Sequence, residues 1–371
     1  MPSPVPELVE VVVPRSMADP AAAGFQALAD LLAEVEAEAV GSREQEFSAA
    51  ELLPSWQDPQ LPKRALLARI DGAVVGCAVY EVTAGDATEC WVSVSVGSAY
   101  RRRGIGGRLL GAILEIVRAE GHRVVQGYVL GTAFPAAAAG PGASVRHLPS
   151  PTGFGGVPAD AAGTRFALAH GFTLEQVERV SRLGLPLAPG TLEAVVAGAA
   201  SLAGDHYEVV LWEGATPERW LADVAEMFTR MSTEYPSANL EVTQDLWDSE
   251  RVRLHNDREA ANPRHTLIAS ALHVPSGHLV GYTALSVPPE SLRAVSQEDT
   301  IVLAEHRGHR LGMLLKAANL HQLAERYPHH PAVITYNAEE NRPMLAVNEA
   351  LGFVAIGYEG LWKRMLEPGP A

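Results

Sequence analysis

The stretch "SAYRRRGIGGRLLGAILEIVRAEG", residues 98–121, contains the pattern that decides how this chain folds. Three arginines, at 101–103, lead into a glycine-rich turn, and apolar residues then recur at helical spacing from Leu109 to Val117. The first N–H groups of a helix lack partners within the helix and lie at the positive end of its dipole. Glycines let the backbone approach an anion closely, and arginines add charge. The stretch therefore predicts a site for a phosphate or pyrophosphate at a helix start.

A second, altered copy of this stretch follows later in the chain, as "AEHRGHRLGMLLKAANLHQLAERYP" at 304–328. The equivalent arginines, Arg101 and Arg307, are 206 residues apart, whereas the Gly-Phe pairs that come after each copy are 181 apart. The shorter spacing indicates an insertion in the first half, and the Pro/Gly/Ala-rich stretch 131–163 has the composition of such a loop. A loop of this kind is either a lid over a site or an excursion without structure of its own.

Both halves show the same order of elements when apolar periodicity is followed along the chain. Each has a strand, two helical segments, three strands, the Arg/Gly loop with its helix, and then a strand, a helix and a strand. The stretch 189–203 is apolar but short, which predicts a linker helix. We therefore predict a first domain over 1–188, a linker over 189–205 and a second domain over 206–371. The fold class is α/β (α+β), with two tandem copies of a mixed, mainly antiparallel sheet flanked by helices.

Bulk composition limits the class of protein. The chain has 371 residues, of which 47% are apolar and 20% charged, as is typical of folded globular domains. Its formal net charge of -15 argues against a broad nucleic-acid surface but is compatible with a local basic pocket. Two cysteines, Cys77 and Cys90, provide neither a disulfide framework nor metal-ligand spacing. Since the sequence also shows no signal peptide or membrane span, we expect a cytoplasmic protein that binds no metal.

Common phosphate-binding motifs do not fit the loop, but another signature does. A Gly-Lys-Ser/Thr sequence is missing, and three antiparallel strands before the loop are the wrong context for GxGxxG. Arg101-x-x-Gly104-x-Gly106 instead resembles the Arg/Gln-x-x-Gly-x-Gly/Ala signature of the GNAT superfamily of N-acetyltransferases. The strand order and the later helix ending in Gly-Phe are similar too. The resemblance covers nearly the whole chain, twice, in a tandem organisation like that of mycothiol synthase, and it implies acetyl-CoA or a related acyl-CoA as the cofactor.

The resemblance assigns cofactor-binding roles in the first half to the signature and to the strand before it. The signature backbone would hold the CoA pyrophosphate, and the strand would lie along the pantetheine arm. Because the glycine pattern of this copy is intact, we expect the first half to bind the cofactor more tightly. The positions concerned are Val94, Val96, Arg101, Arg102, Arg103, Gly104, Ile105, Gly106 and Gly107.

The second copy departs from the signature at one position. Arg310 stands where the first glycine is expected, and an arginine there must adopt a backbone geometry that glycine adopts more easily. Downstream, two asparagines occupy places where the superfamily often has a polar residue near the CoA arm. The cofactor-binding positions implied for this half are Val302, Arg307, Gly308, Arg310, Gly312, Asn337 and Asn341.

Acyl transfer to an amine needs a neutral amine, a donor for the oxyanion and often a proton for the leaving thiolate. Many GNAT enzymes take that proton from a tyrosine four residues before the glycine of Gly-Phe, where this chain has Ala167 and Asn348. For the base, Glu298 lies nine residues before Arg307, and strand parity places it on the face of the usual base. An ordinary solvated strand-end residue would show the same pattern. The candidate catalytic residues are Glu298, Tyr336 and Glu89, while His306 is expected to be structural or to contact CoA, and Trp212, Trp247 and Trp362 are expected in the core.

The resemblance implies an acetyl-CoA-dependent N-acetyltransferase that acts on a primary amine of a small molecule by direct attack on the thioester. Two alternatives stay open. The missing tyrosine favours a non-catalytic acyl-CoA-binding or regulatory protein, and a groove open to a peptide would favour a protein or peptide N-acetyltransferase. The acidic chain would suit a cationic acceptor such as an antibiotic. We expect neither nucleic acid nor membrane as a partner, and either a monomer that is an internal pseudo-dimer or a homodimer.

Overall fold

A computed structural model describes residues 5–83, 88–132 and 146–367. Its first half starts with a strand, two helices and three strands, namely β1 (Glu7–Glu10), α1 (Ala22–Val40), α2 (Ala49–Trp56), β2 (Lys63–Ile70), β3 (Ala73–Glu81) and β4 (Glu89–Val96). The first Arg/Gly loop then opens a helix, and the half continues with α3 (Ile105–Ala119), β5 (Val124–Thr132), β6 (His147–Pro149), β7 (Gly156–Pro158), α4 (Ala162–Ala169) and β8 (Thr173–Gly184). The predicted insertion falls partly on 133–145, which lie outside the described residues.

The second half repeats this order after the predicted linker helix, α5 (Thr191–Ala203). The elements before its loop are β9 (Tyr207–Glu213), α6 (Leu221–Glu234), α7 (Ser249–Ala261), β10 (His265–His273), β11 (His278–Val287) and β12 (Val295–Val302). The elements after it are α8 (Leu311–Arg326), β13 (Ala332–Ala338), α9 (Arg342–Leu351) and β14 (Val354–Met365).

Local sequence explains where two elements begin. Periodicity predicts a helix over 243–256, but α7 starts only after Asp248. Asp248 is the N-cap of this helix, because its backbone is extended and its side chain accepts a hydrogen bond from the Arg251 N–H. The first part of that prediction is therefore wrong. The strand predicted over 299–304 begins earlier, at Val295, because its start pairs with β11 and β13.

Apart from the short β6–β7 hairpin, the described strands form one twelve-stranded sheet in the order β1-β2-β3-β4-β5-β14-β8-β13-β12-β11-β10-β9. Each half contributes five strands in sequence, but the last strands change places. Strand β14 pairs with β5 of the first half, β8 pairs with β13 of the second, and β8 and β14 pair with each other. The expected fold class is confirmed, with this exchange added. The boundaries near residues 188 and 206 stay a prediction.

The exchange relates the two halves by an approximate two-fold axis. Glu178 and Glu359 occupy equivalent positions in their halves and face each other directly in the β8–β14 pair. Tyr128 on β5 lies two residues from the pairing partner of Glu359. Tyr336 on β13 likewise lies two residues from the pairing partner of Glu178. Because side chains two residues apart lie on the same face of a sheet, all four lie together on one face at the junction of the halves.

Helices cover the sheet with their apolar sides, and each half has its own core. In the first half, Leu109, Ile113 and Val117 of α3 are fully buried, as the spacing in the opening stretch predicts. In the second half, α8 lies under α5 and against β9–β11. Burying a side chain of this size contributes roughly 1.5–3 kcal/mol to folding. Both Arg/Gly loops are thus held between a buried strand and a buried helix.

Candidate active site

Strands β12 and β13 diverge soon after they start, and the opening between them holds a cavity. The two parallel strands pair only at Val295 with Val333 and at Ser296 with Ile334. Beyond Ser296, none of the described strands lies beside β12 on this side, so backbone N–H and C=O groups there are available to a ligand, except the Glu298 carbonyl, which accepts from the Gln297 side chain. The cavity measures about 1550 Å³ and extends from the second Arg/Gly loop to α6 and α7.

The structure brings nine of the predicted site residues together around this cavity. The loop and the start of α8 lie at one end, and the middle of β12 lies towards the other. Two candidate catalytic residues and the whole second-half cofactor set line it: Glu298, Val302, Arg307, Gly308, Arg310, Gly312, Tyr336, Asn337 and Asn341.

The second loop keeps the conformation of the first despite its altered sequence. In the first loop, Arg102 and Gly104 have φ values of 65° and 80°. In the second, Gly308 and Arg310 have φ values of 89° and 58°, and Arg310 is the N-cap of α8. Arg310 therefore adopts the left-handed geometry of the signature glycine, at a cost of roughly 1–2 kcal/mol. The loop can still present the N–H groups at the start of α8 to an anion.

The signature arginines hold the loops in place. Nε of Arg307 donates to the carbonyl oxygen of Val302 at 3.0 Å, and its guanidinium forms an ion pair with Glu234 at the end of α6. Arg101 makes the equivalent contacts in the first half, and both of its terminal nitrogens donate to Glu38, at 2.8 and 2.9 Å. Since these guanidinium groups are already paired with carboxylates, the backbone of the loop is better placed to bind a phosphate than these side chains are.

The first loop is more crowded than the second, while the expectation that the first half binds the cofactor more tightly stays a prediction. A Cβ atom added at Gly106 would come within 3.1 Å of the Phe166 ring on α4. At the equivalent Gly312 nothing lies within 4 Å, and the residue equivalent to Phe166 is Val347 on α9. The smaller side chain leaves space between α8 and α9 that the phenyl ring fills in the first half.

The remaining predicted residues of the first half lie away from this cavity. Arg103 donates to the carbonyl oxygen of Ala99 at 2.9 Å and packs over the Tyr100 ring. Ile105 is buried in the core of the first half, and Val94 and Val96 pack against that core. Their cofactor-binding roles, like those of Arg102, Gly104 and Gly107, stay predictions.

A chain of buried polar side chains lies where the tyrosine is missing. Nζ of Lys316 on α8 donates to Oδ1 of Asn348 at 2.7 Å, and Nδ2 of Asn348 donates to Oδ1 of Asn337 at 2.6 Å. Lys316 is 1% exposed, yet it lines the cavity. Burial lowers its pKa from 10.5 to about 7. The other predicted asparagine, Asn341, caps α9 by accepting from the Met344 N–H.

The candidate base lies at an irregularity in β12. Register with β11 runs from Gln297 opposite Leu285 to Thr300 opposite Thr283, so two residues of β12 face only one residue of β11. This β-bulge lets both Glu298 and Asp299 reach the cavity, although strand parity alone would separate them.

Glu298 is exposed to solvent inside the cavity, and the cavity walls lie around its carboxyl group. Burial first and the neighbouring Asp299 second raise its pKa to about 7, while Arg264 opposes the shift. Arg264 does not bind the carboxylate, because its guanidinium is paired with buried Glu51 at 3.1 Å. A carboxyl group with such a pKa can accept a proton near neutral pH, as a general base must.

Aromatic rings form the wall beyond the two carboxylates. The Phe228 ring is edge-on to Trp247, at 4.9 Å between centroids, and to Tyr282, at 5.3 Å. His255 on α7 completes the wall, 5.7 Å from Trp247. Trp212 and Trp362 are buried in the cores as expected, whereas the expectation for Trp247 is wrong in part, because it packs on the core and also lines the cavity.

Tyr336 reaches the cavity from the junction of the two halves. Its hydroxyl donates to Oε1 of Gln45, in the loop between α1 and α2, at 2.6 Å. Nearby, the Tyr235 hydroxyl donates to Glu178 at 2.5 Å and accepts from the Ala338 N–H. Burial raises the pKa of Tyr336 well above its usual range, and Glu359 adds to the shift. Tyr336 is therefore a hydrogen-bonding group at neutral pH, and its catalytic role stays a prediction.

Glu89 lies apart from the other candidate catalytic residues. It is buried at the start of β4, where this strand pairs with β5, and its carboxylate accepts a hydrogen bond from Gln126. Gln126 in turn bonds the backbone of Glu241 in the second half. His306, also singled out from the sequence, bonds the Tyr207 hydroxyl at 3.0 Å beside the second loop.

Two residues of the site were missed in the sequence. Asp299 adjoins Glu298, but regular alternation along a strand predicts that its side chain lies on the opposite face. Only the β-bulge places both side chains on the cavity side. Lys316 carried a clearer signal, because it interrupts the apolar run "LGMLLKAANL" of α8 in a position where a solvated lysine would not fit.

Comparisons with known proteins agree with this geometry. A family model described as Acetyltransferase (GNAT) family matches residues 28–136. A tandem GNAT protein from the clavulanic acid biosynthesis pathway is 26% identical, with 98% of this chain and 100% of that chain covered and a TM-score of 0.70. A GCN5-related N-acetyltransferase from Sphaerobacter thermophilus shares the fold at 19% identity, with 98% and 97% covered and a TM-score of 0.58. Among curated proteins, none matches the sequence.

Two further kinds of feature are absent from the described ranges. Within 5–83, 88–132 and 146–367, no group of His, Cys, Asp or Glu side chains is arranged to hold a metal ion. In the same ranges, no helix has the length and apolar character needed to cross a membrane. The family match lies in the first half and the whole-chain likeness extends over both, so the chain has a tandem GNAT architecture, with two GNAT folds in one polypeptide.

Proposed function

We propose that the chain is an acyl-CoA-dependent N-acyltransferase, with acetyl-CoA as the donor and a primary amine of a small molecule as the acceptor. We place the reaction in the second half. One observation carries the proposal: the diverging strands β12 and β13 enclose a cavity with an anion-binding loop at one end and Glu298 towards the other.

The residues present fit an acyl-CoA. The N–H groups at the start of α8 point from a loop with open space at Gly312, which suits a pyrophosphate. The backbone of β12 beyond Ser296 offers hydrogen bonds to an extended amide-containing arm, and the cavity is long enough to continue to Glu298. When bound, acyl-CoA supplies an acyl group activated as a thioester.

The chain's own residues then divide the proton transfers. Glu298 removes the proton from the acceptor ammonium, which frees the nitrogen lone pair for attack on the thioester carbonyl carbon. The new C–N bond replaces the C–S bond, and the attacking nitrogen loses its second proton to water as the neutral amide forms. Lys316 holds a proton at Nζ that can pass to the departing sulfur, in place of the missing tyrosine, and Asn348 keeps that ammonium in position.

A direct test is the release of free thiol from acetyl-CoA with a panel of small amines, combined with calorimetric binding of acetyl-CoA. We expect binding and transfer in the wild type. In Glu298→Gln we expect unchanged acetyl-CoA binding and a transfer rate lower by about 10²–10⁴-fold. Saturable binding without transfer to any amine would favour the alternative of a non-catalytic acyl-CoA-binding protein, which the absence of tyrosine at 167 and 348 also supports.

The proposal includes a monomer without nucleic-acid or membrane partners. Strands β8 and β14 already exchange between the halves, as two subunits would exchange them in a dimer. Sedimentation at micromolar concentration tests this part, and a stable dimer would contradict it.

A further inference from the structure

Resting on the proposed function, we propose that the acceptor is dicationic: a short diamine, whose second ammonium binds in a subsite formed by Asp299, Glu259 and the Tyr282 hydroxyl. The amine that reacts needs a single base, which Glu298 provides. Asp299 and the Tyr282 hydroxyl, which line the cavity beyond Glu298, have no role in that reaction. We therefore assign them to a second polar group of the acceptor.

Asp299 is the first of these features. The β-bulge directs it into the same cavity as Glu298, although neighbours in a regular strand would lie on opposite faces. Among the described residues, neither of the two carboxylates makes a side-chain hydrogen bond or ion pair. The nearby Arg264 is taken by Glu51, at 3.1 Å. Both side chains are exposed to solvent in the cavity, so both carboxylates are free to pair with a cationic ligand.

The Tyr282 hydroxyl is the second, independent feature. Tyr282 is only 6% exposed and lines the cavity, yet its hydroxyl has no hydrogen-bond partner in the described part of the chain. Asp299, Glu259 and Glu298 line the same cavity. An unpartnered hydroxyl on a buried side chain, in a cavity that three carboxylates also line, is available to a polar ligand.

The shape and charge of the subsite select the ligand. Glu259 comes from α7 and accepts one hydrogen bond, from Thr266 at 3.1 Å. The rings of Phe228 and Trp247 form the remaining wall. The Arg251 guanidinium covers one face of Trp247, 4.1 Å from the ring centroid, and an uncovered aromatic face favours a cation over a neutral polar group. An ammonium here would be bound by carboxylates and a hydroxyl and would be flanked by rings. A thiol, a carboxylate or a sugar hydroxyl would not meet these requirements.

The test compares 1,4-diaminobutane, 1-aminobutane and 4-amino-1-butanol in two readouts, calorimetric binding and transfer from acetyl-CoA at pH 7.5. In the wild type we expect the diamine to bind about 10–100-fold more tightly than either monoamine, the range for hydrogen bonds to charged groups. In Asp299→Asn this ratio should fall to about 1–3. The control Glu305→Gln removes the same charge from a residue paired with Arg230 outside the cavity and should leave the ratio unchanged.

The two readouts separate failure of this inference from failure of the proposed function. If the diamine binds no better than the monoamines, or if its advantage survives in Asp299→Asn, the dicationic acceptor is overturned whatever the transfer rates are. If the diamine binds selectively but no acyl group is transferred, the subsite stands and the proposed reaction falls.

Discussion

Replacing Lys316 with methionine should make the protein more stable and less active, with a pH dependence that identifies the buried charge. Lys316 is 1% exposed and bonds Asn348 at 2.7 Å. Its pKa is about 7 in the folded chain, compared with 10.5 for an ordinary lysine. Methionine has a similar length and no charge, so Lys316→Met removes the ammonium with little change in packing.

The magnitude follows from the difference in pKa. Between pH 7 and pH 10.5 the unfolded chain binds more protons than the folded chain, so the penalty from Lys316 is complete below pH 7 and disappears as the pH rises. At about 1.4 kcal/mol per pKa unit, the penalty is roughly 4 kcal/mol at pH 7, about 2 kcal/mol at pH 9 and under about 1 kcal/mol at pH 10. The variant also leaves Oδ1 of Asn348 without its donor, which costs about 1–3 kcal/mol at every pH.

We therefore expect the variant to be more stable than the wild type by about 1–3 kcal/mol at pH 7 and less stable at pH 10. Urea denaturation of both proteins at pH 6, 7, 9 and 10 measures the difference. Transfer from acetyl-CoA should fall by about 10²-fold or more at pH 7 if Lys316 supplies the proton. A stability difference that stays constant across these pH values would refute the buried charge, and unchanged transfer in a folded variant would refute the proton donor.

Three further predictions concern the loop and the base. Val347→Phe places the ring of the first half beside Gly312 and should weaken acetyl-CoA binding at least ten-fold by calorimetry, whereas the matched Phe166→Val should not; the opposite ranking would return the main site to the first half. The transfer rate should follow a bell centred near pH 7, because Glu298 must lose its proton and Lys316 must keep its own, and Glu298→Gln should remove the acid limb specifically; a rate that is flat from pH 5 to 9 would contradict both assignments. Arg310→Gly relieves the left-handed strain and should raise the free energy of unfolding by about 0.5–1 kcal/mol in urea denaturation without weakening acetyl-CoA binding, so a loss of stability would show that the arginine side chain has a role.

The exchanged strands bring side chains of the two halves together beside the second-half cavity. Glu178 and Glu359 meet across the β8–β14 pair, and burial raises the pKa of both, that of Glu359 to about 8. Tyr336 lies beside them and also lines the second-half cavity. A site in one half is therefore built partly from a strand of the other, and neither half would be complete if it were cut at the linker.

Sequence alone determined the elements that depend on local pattern. Helix α8 follows the second Arg/Gly loop directly, as the repeated pattern predicts, and the strand and helix order of both halves follows from alternation and turn residues. The repeated Arg/Gly loop predicts an anion site without further information, because a helix start and its glycines are local features. The same reasoning found the residues of the second loop, Glu298 and the two asparagines, all of which line one cavity.

Only the tertiary structure decided the features that depend on distant segments. The exchange of β8 and β14 leaves no local mark, because each strand has the same alternation whichever partner it pairs with. The bulge that brings Asp299 beside Glu298 arises from register with β11, and the depressed pKa of Lys316 arises from burial between α8 and α9. An intact glycine signature favoured the first loop, but the space beside it is set by Phe166, more than fifty residues away. Local sequence fixes conformation, whereas the volume and charge of a site depend on which segments meet there.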